Sequence, residues 1–292
     1  MRILVTGSSG FVGGALSRHL ESRGHVVVRL GRGPGGWNPQ AATLDLSQIG
    51  PIDAAVHLAG ASLAGARWTA AYKARIRDSR TQGTRLLASA LAACQPRPAV
   101  LVSTSAVGYY GNCGGETVDE NHPPGAGFLA DVCRQWEAAT APAAAAGIRV
   151  VLARLGVVLD ASGGALARML PPFRLGLGGV IGAGNQFMSW VTLADLVSLL
   201  EFLIARADIA GPVNCTAPGA VTNRVFTKTL GRVLRRPTVA ALPGWLARLA
   251  LGEMADALLL GGARVEPRRL CAAGYQFLHP ELEPALRQIM PR

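Results

Sequence analysis

Through the first half of the chain, short and nearly unbroken apolar runs alternate with longer stretches whose apolar residues recur at helical spacing. Residues 2–6 (Arg-Ile-Leu-Val-Thr), 25–30 (His-Val-Val-Val-Arg-Leu), 54–59 (Ala-Ala-Val-His-Leu-Ala), 99–103 (Ala-Val-Leu-Val-Ser) and 149–155 (Arg-Val-Val-Leu-Ala-Arg-Leu) read as strands, with Thr43-Leu44-Asp45 as a further short one. Helical periodicity covers 11–22, about 69–94 and 127–146, while 31–39 is a Gly/Pro loop. β-Branched runs without polar alternation belong to strands buried on both faces. The pattern therefore predicts a parallel sheet with helices on each side.

After about residue 160 this rhythm breaks. Residues 163–175 read as helix and 176–185 as glycine-rich loop. Thr192-Leu193-Ala194-Asp195 has the spacing of a capping box and predicts a helix to about 206. Residues 211–214 are expected to return to the sheet, and helices dominate from Thr222, with breaks at Pro237, Pro243 and Gly274. The expected class is α/β: a doubly wound parallel sheet with a smaller, mainly helical C-terminal lobe. The sheet domain is expected over 1–160 with 190–215 returning to it, and the lobe over 161–189 and 216–292.

The composition suits a sizeable buried core: 292 residues, 50% of them hydrophobic and only 16% charged. A formal net charge of +11 raises nucleic acid or a membrane surface as partners. Only Lys73 and Lys228 among the 29 Lys and Arg are lysines, however, and the arginines are scattered, the densest group being Arg232-Val233-Leu234-Arg235-Arg236. With no basic stripe interleaved with aromatics, no specific nucleic acid is expected. No apolar run approaches the ~18 residues that span a bilayer, so no membrane is expected either. Cys94, Cys113, Cys133, Cys215 and Cys271 are odd in number, without a C-x-x-C. Neither a disulfide framework nor a metal site follows, and a cytoplasmic protein is expected.

Candidate chemistry begins where the first strand ends. Thr6-Gly7-Ser8-Ser9-Gly10-Phe11-Val12-Gly13 is a T-G-x-x-G-x-x-G turn between a strand and a helix. In such a turn one glycine makes the tight bend, one lets a pyrophosphate approach the backbone, and one lets helix and strand pack closely. The helix N-terminus adds N–H donors and a positive dipole. Gly7, Ser8, Ser9, Gly10, Phe11, Val12 and Gly13 are therefore candidate dinucleotide contacts. At the end of the second strand stands Leu30-Gly31-Arg32, where enzymes preferring NAD usually carry an acid. Arg32 is either an exposed surface arginine or the partner of an adenosine 2′-phosphate, and the second reading favours NADP(H) over NAD(H). Asp45 and Leu46 either meet the adenine or form an ordinary turn. Leu58, Ala59 and Gly60 end the fourth predicted strand where the cofactor would cross the sheet edge.

Together with His57-Leu58-Ala59-Gly60 and Ser103-Thr104-Ser105-Ala106-Val107-Gly108-Tyr109-Tyr110-Gly111, the turn resembles the extended short-chain dehydrogenases of the NAD(P)-dependent epimerase/dehydratase family, which have a Rossmann-type fold. Arg67-Trp68-Thr69 with Ser79-Arg80, Cys133-Arg134-Gln135-Trp136-Glu137, the segment 169–179 and Gly182-x-Gly184-x-Gln186 resemble, more narrowly, an atypical subgroup called "epimerase family protein". Active members react through Y-x-x-x-K. Here the tyrosines are Tyr72, Tyr109, Tyr110 and Tyr275, and four residues on stand Ile76, Cys113, Gly114 and His279. No such pair exists. Counting back from Glu137 puts Leu129 and Cys133 where the dyad would lie. The subgroup typically lacks the dyad, and some relatives are linked to bacterial or plastid division.

The resemblance implies NADP(H) binding with Arg80 and the backbone near Val158 as further contacts, and places Ser105 where a catalytic Ser or Thr would fall. Tyr110 or Tyr109 is then either the nearest proton donor or aromatic packing. Met169, Phe173, Phe187, Met188 and Trp190 either line a substrate pocket or form the core of the small lobe. Arg174 either grips an anionic substrate group or makes a structural ion pair, and Gln186 belongs to the same candidate substrate set. Two functions stay open: an NADP(H)-dependent oxidoreductase or epimerase-like enzyme acting on a small-molecule substrate, and a catalytically silent NADPH-binding protein acting through an unknown protein partner.

Overall fold

The structure is a computed structural model and describes residues 1–31, 37–39 and 41–290. Its strands in chain order are β1 (Arg2–Thr6), β2 (Val26–Leu30), β3 (Ala54–His57), β4 (Val100–Ala106), β5 (Thr117–Val118), β6 (Arg149–Leu155), β7 (Val157–Asp160), β8 (Phe187–Met188), β9 (Trp190–Thr192), β10 (Gly211–Cys215), β11 (Val221–Thr222) and β12 (Arg264–Val265). Six of them form one sheet in the order β10-β6-β4-β3-β1-β2. β1 pairs in parallel with β2 on one side and β3 on the other, and β3 pairs in parallel with β4. The chain thus winds outward in both directions from β1, the arrangement that opens a ligand crevice at the carboxyl ends of the central strands.

Met1–Ser105, Asp131–Arg154 and Val197–Val213 form a first compact unit. It contains α1 (Phe11–Ser22), α2 (Ala70–Ala93), α3 (Phe128–Ala138) from its residue 131 onward, and α4 (Ala141–Ala145). Its core joins Leu4, Ala55 and Leu101 of the sheet to Leu87, Ala88 and Leu91 of α2. Thr69 caps α2 by accepting from Tyr72 N at 3.2 Å. The helix expected over 127–146 is two helices: Pro142, which has no N–H to continue the ladder, stands in the first turn of α4.

The third strand expected at 43–45 is corrected: Thr43 makes only an isolated antiparallel bridge with Asn38. Asp45 accepts from Ser47 N at 2.8 Å, closing a turn that strand pairing would break.

The second unit comprises Ala106–Ala130, Leu155–Leu196 and Asn214–Arg292. Residues 106–130 group here because Tyr110 and Val118 pack with Ala263 and Val265, and β5 pairs with β12. The unit holds α5 (Gly164–Arg174), the start of α6 (Leu193–Ala205), α7 (Asn223–Leu234) and α8 (Gly244–Leu251). Thr192 Oγ1 accepts from Asp195 N at 3.0 Å and donates to Asp195 Oδ2 at 2.8 Å, capping α6. The Asp195 carboxylate also accepts from the backbone N–H groups of Leu278 and His279, tying the C-terminal segment to this cap. Among the described residues, no helix is long and apolar enough to cross a membrane.

Candidate functional site

The turn after β1 is shaped by contacts that only glycine permits. Gly7 has φ +67°, and a Cβ there would lie 2.9 Å from the Leu58 carbonyl carbon. A Cβ on Gly13 would stand 2.1 Å from Gly7 O. Gly10 N donates to Gly7 O at 2.9 Å and closes the turn. Gly10 is also the N-cap of α1 and has no side chain with which to cap that helix. The first N–H groups of a twelve-residue helix thus open beyond the sheet edge, with a backbone cradle behind them. This donor set fits a pyrophosphate. Ser8 is half-buried and Ser9 exposed beside it.

Beneath the turn, Thr6 Oγ1 accepts from Leu58 N at 3.2 Å and shares a 2.7 Å hydrogen bond with His57 Nδ1. Full burial pushes the pKa of His57 down to about 3, so it is neutral and serves as a strut, not as a base. Next to it Leu58 and Ala59 are half-buried and Gly60 is exposed. Gly60 lies against the Arg80 guanidinium, which would be 3.3 Å from a Cβ at this position. Arg80 donates to Ala61 O and Ile76 O at 3.0 and 3.1 Å and stacks 5.1 Å over the Trp136 ring. Desolvation lowers its pKa.

At the adenosine side, Gly31 is exposed and its carbonyl accepts from Trp37 N. Arg32 lies outside the described residues. Asp45 is exposed, with a carboxyl pKa lowered by the hydrogen bond from the Ser47 backbone. Leu46 is buried in the core, which corrects its placement as an adenine contact through its side chain.

Ser105 stands near the end of β4, and its hydroxyl donates to Glu137 Oε1 at 2.7 Å. Arg154 of β6 forks onto the same carboxylate, Nε to Oε1 at 2.8 Å and Nη2 to Oε2 at 2.9 Å. The Arg154 and Glu137 side chains are only 3% and 9% exposed. Sequence reasoning missed this pair. The available signal was Arg154 in the apolar interior of β6, a charge that once buried needs a carboxylate partner. With its proton engaged by Glu137, the Ser105 hydroxyl as placed does not donate to a substrate.

The second unit holds the other candidates, and most prove structural. Tyr110 is buried; its hydroxyl donates to Asn214 Oδ1 at 2.7 Å, while Asn214 Nδ2 donates to Glu266 O at 2.9 Å. The amide orientation fixes the phenol as donor, and Tyr110 as an exchangeable acid is corrected to a core strut. Trp190 is fully buried and donates to Gly219 O at 2.8 Å, and Phe173 is buried in the same core, with Met169 packed at its edge. Trp190 and Phe173 therefore do not line a substrate pocket. Gln186 Nε2 donates to Ile181 O and Leu259 O at 3.0 and 2.7 Å, so this amide pins two backbone segments together. Arg174 is exposed at the end of α5, and Val158 is half-buried in β7, paired with Val191. Among the described residues, no cluster of three or more His, Cys, Asp or Glu side chains could hold a metal ion.

Residues 3–215 match the model of the NAD dependent epimerase/dehydratase family. The chain belongs to that family. Its members' nucleotide-binding fold accounts for the cradle after β1, and a nucleotide cofactor is what the cradle accepts. Residues 242–289 match a domain of unknown function, DUF1731. Epimerase family protein Mb2239 of Mycobacterium bovis is 46% identical over 290 residues, covering 97% of this chain and 96% of that protein. The crystal structure of human epimerase family protein SDR39U1 (isoform 2) with NADPH superposes with a TM-score of 0.91 at 36% identity, covering 99% of each chain. A UDP-glucose 4-epimerase of Thermus thermophilus in complex with NAD, at 18% identity and a TM-score of 0.77, shares the fold.

Proposed function

We propose that this family member binds NADP(H) in preference to NAD(H) and performs oxidoreductase or epimerase-like chemistry on a small substrate without a tyrosine–lysine dyad. The observation that carries the reading is the glycine-walled, uncapped start of α1. It is supported by the NADPH in the human SDR39U1 structure and by the absence of an acid after β2, where Gly31-Arg32 stands. Gly7, Gly10 and the first turn of α1 would hold the pyrophosphate, Arg32 the 2′-phosphate, and Leu58 to Gly60 the path toward the nicotinamide. Arg80 would close that path from α2. When bound, the nicotinamide supplies or takes up a hydride. The chain's own contribution is to orient it and to keep water away.

A second reading is favoured by one specific finding: the hydroxyl protons of Tyr110 and Ser105 are both committed inside the protein. A protein so arranged fits an NADPH-binding regulator that acts through a partner. NADPH oxidation in the presence of small aldehydes, ketones and sugar nucleotides separates the two. Turnover of any of them supports the enzyme. NADPH bound tightly with none consumed supports the regulator. Sugar-nucleotide epimerisation near the typical ~10 per second would contradict the regulator and support the epimerase-like form of the first reading.

A further inference from the structure

The Ser105–Glu137–Arg154 cluster is not accounted for by the fold or by the proposed function. The strand register places Thr6, His57 and Ser103 side by side at the carboxyl end of the sheet. Ser105 lies two residues further along β4, past the level of Thr6 at the same end of the sheet as the phosphate cradle, and is 2% exposed. Two strand spacings, roughly 10 Å, separate β1 from β4. A dinucleotide with its pyrophosphate over β1 reaches β4 with its nicotinamide half.

The polarity at that point is fixed by the neighbours. Both oxygens of Glu137 receive N–H donors from Arg154, so the carboxylate acts only as an acceptor, and the Ser105 proton points to Oε1. The lone pairs of Ser105 Oγ are what the hydroxyl has left to offer. An oxygen with its donor engaged is suited to receive an N–H or O–H.

We propose that Ser105 is a cofactor-holding residue, its oxygen accepting a hydrogen bond from the nicotinamide nucleoside of the bound dinucleotide, with Glu137 and Arg154 as the positioning residues that set this polarity. The proposal rests on the NADP(H) reading above. The donor is the carboxamide N–H or a ribose hydroxyl, and Ser105 takes over part of the ribose- or carboxamide-holding for which the missing dyad would otherwise serve.

Calorimetric titration tests it with three ligands: NADPH, the 3-acetylpyridine analogue of NADP, and adenosine 2′,5′-bisphosphate, which lacks the nicotinamide nucleoside. Ser105→Ala is expected to weaken NADPH roughly 3- to 10-fold and to leave the bisphosphate unchanged. A parallel loss for the acetylpyridine analogue assigns the donor to the ribose. A loss confined to NADPH assigns it to the carboxamide. Ser105→Gly, a second way to remove the oxygen, should behave as Ser105→Ala does. Glu137→Gln can turn an amide N–H toward Ser105 and release the hydroxyl proton outward, so it should weaken NADPH at least as much with the bisphosphate again unchanged. Equal NADPH affinity in the parent and Ser105→Ala, or an equal loss for the bisphosphate, overturns the proposal. A parent protein that binds the bisphosphate but not NADPH overturns it too, whereas one that binds none of the three overturns the NADP(H) reading beneath it.

Discussion

Replacing Gly13 with alanine would place a methyl group 2.1 Å from Gly7 O, 2.7 Å from Gly7 C and 2.9 Å from the Ser8 Cα. A relaxed carbon contact lies near 3.5 Å, so the nearest atom is short by roughly 1.4 Å. All three neighbours are backbone, and Gly7 cannot retreat because the Leu58 carbonyl stands directly behind it. Either α1 slides off the strand or the turn opens. Overpacking of this kind costs about 1–3 kcal/mol, a fall in Tm of roughly 2–10 °C for a chain of this size. Both movements carry the first-turn N–H groups away from the phosphate. Losing one or two charge-assisted hydrogen bonds, at about 1.5–3 kcal/mol each, predicts NADPH binding at least tenfold weaker. Gly14 is the internal control, since a Cβ there meets Ser8 O at 3.5 Å and Arg18 Nη1 at 3.7 Å, which are ordinary contacts. Gly14→Ala should bind NADPH as the parent does and gain up to ~1 kcal/mol from helix propensity. Calorimetry and thermal melts of the three proteins are the assay. Parent-like NADPH affinity in Gly13→Ala, or an equal loss in Gly14→Ala, would refute the reasoning.

Tyr110→Phe leaves the Asn214 carbonyl oxygen buried without its donor, so thermal denaturation should show a loss of about 1–3 kcal/mol while NADPH affinity stays unchanged. A large loss of turnover with unchanged stability would instead return Tyr110 to the chemistry. His57, with a pKa lowered to about 3 by burial, takes up a proton on unfolding at any pH between about 3 and its ordinary 6.5. The unfolded state binds more protons there, so stability falls as pH falls, by about 2 kcal/mol between pH 7 and 5 from this group alone. Urea titrations of the parent and His57→Asn should differ in slope by close to one proton; identical slopes would mean that His57 is not buried and neutral.

The phosphate cradle was legible because its logic is local: strand, turn and helix lie within residues 2–22, and each glycine answers to a backbone contact. The main strands were legible for the same reason, as unbroken β-branched runs. Residues 43–45 misled because three suitable residues cannot declare whether a partner strand lies beside them, and Asp45 turned the chain instead. In the C-terminal unit, Phe173 and Trp190 are core although their sequence would suit a pocket lining equally well. Apolar side chains look alike until packing is known. Glu137 and Arg154 are 17 residues apart on a helix and a strand, and Tyr110 and Asn214 are 104 apart, so these pairings are products of topology. A buried arginine in an apolar strand announces that a partner exists without saying which.

On the reading proposed above, this chain would hold NADP(H) through the α1 cradle, with Arg32 receiving the 2′-phosphate. Titration of NADPH and NADH into the parent protein and Arg32→Ala tests it most directly. A charge-assisted contact of about 1.5–3 kcal/mol predicts NADPH binding at least tenfold tighter than NADH, with the gap widening at low salt. Arg32→Ala should erase most of that gap and leave NADH affinity unchanged. Equal affinities in the parent, or a preference that survives Arg32→Ala, would contradict the account.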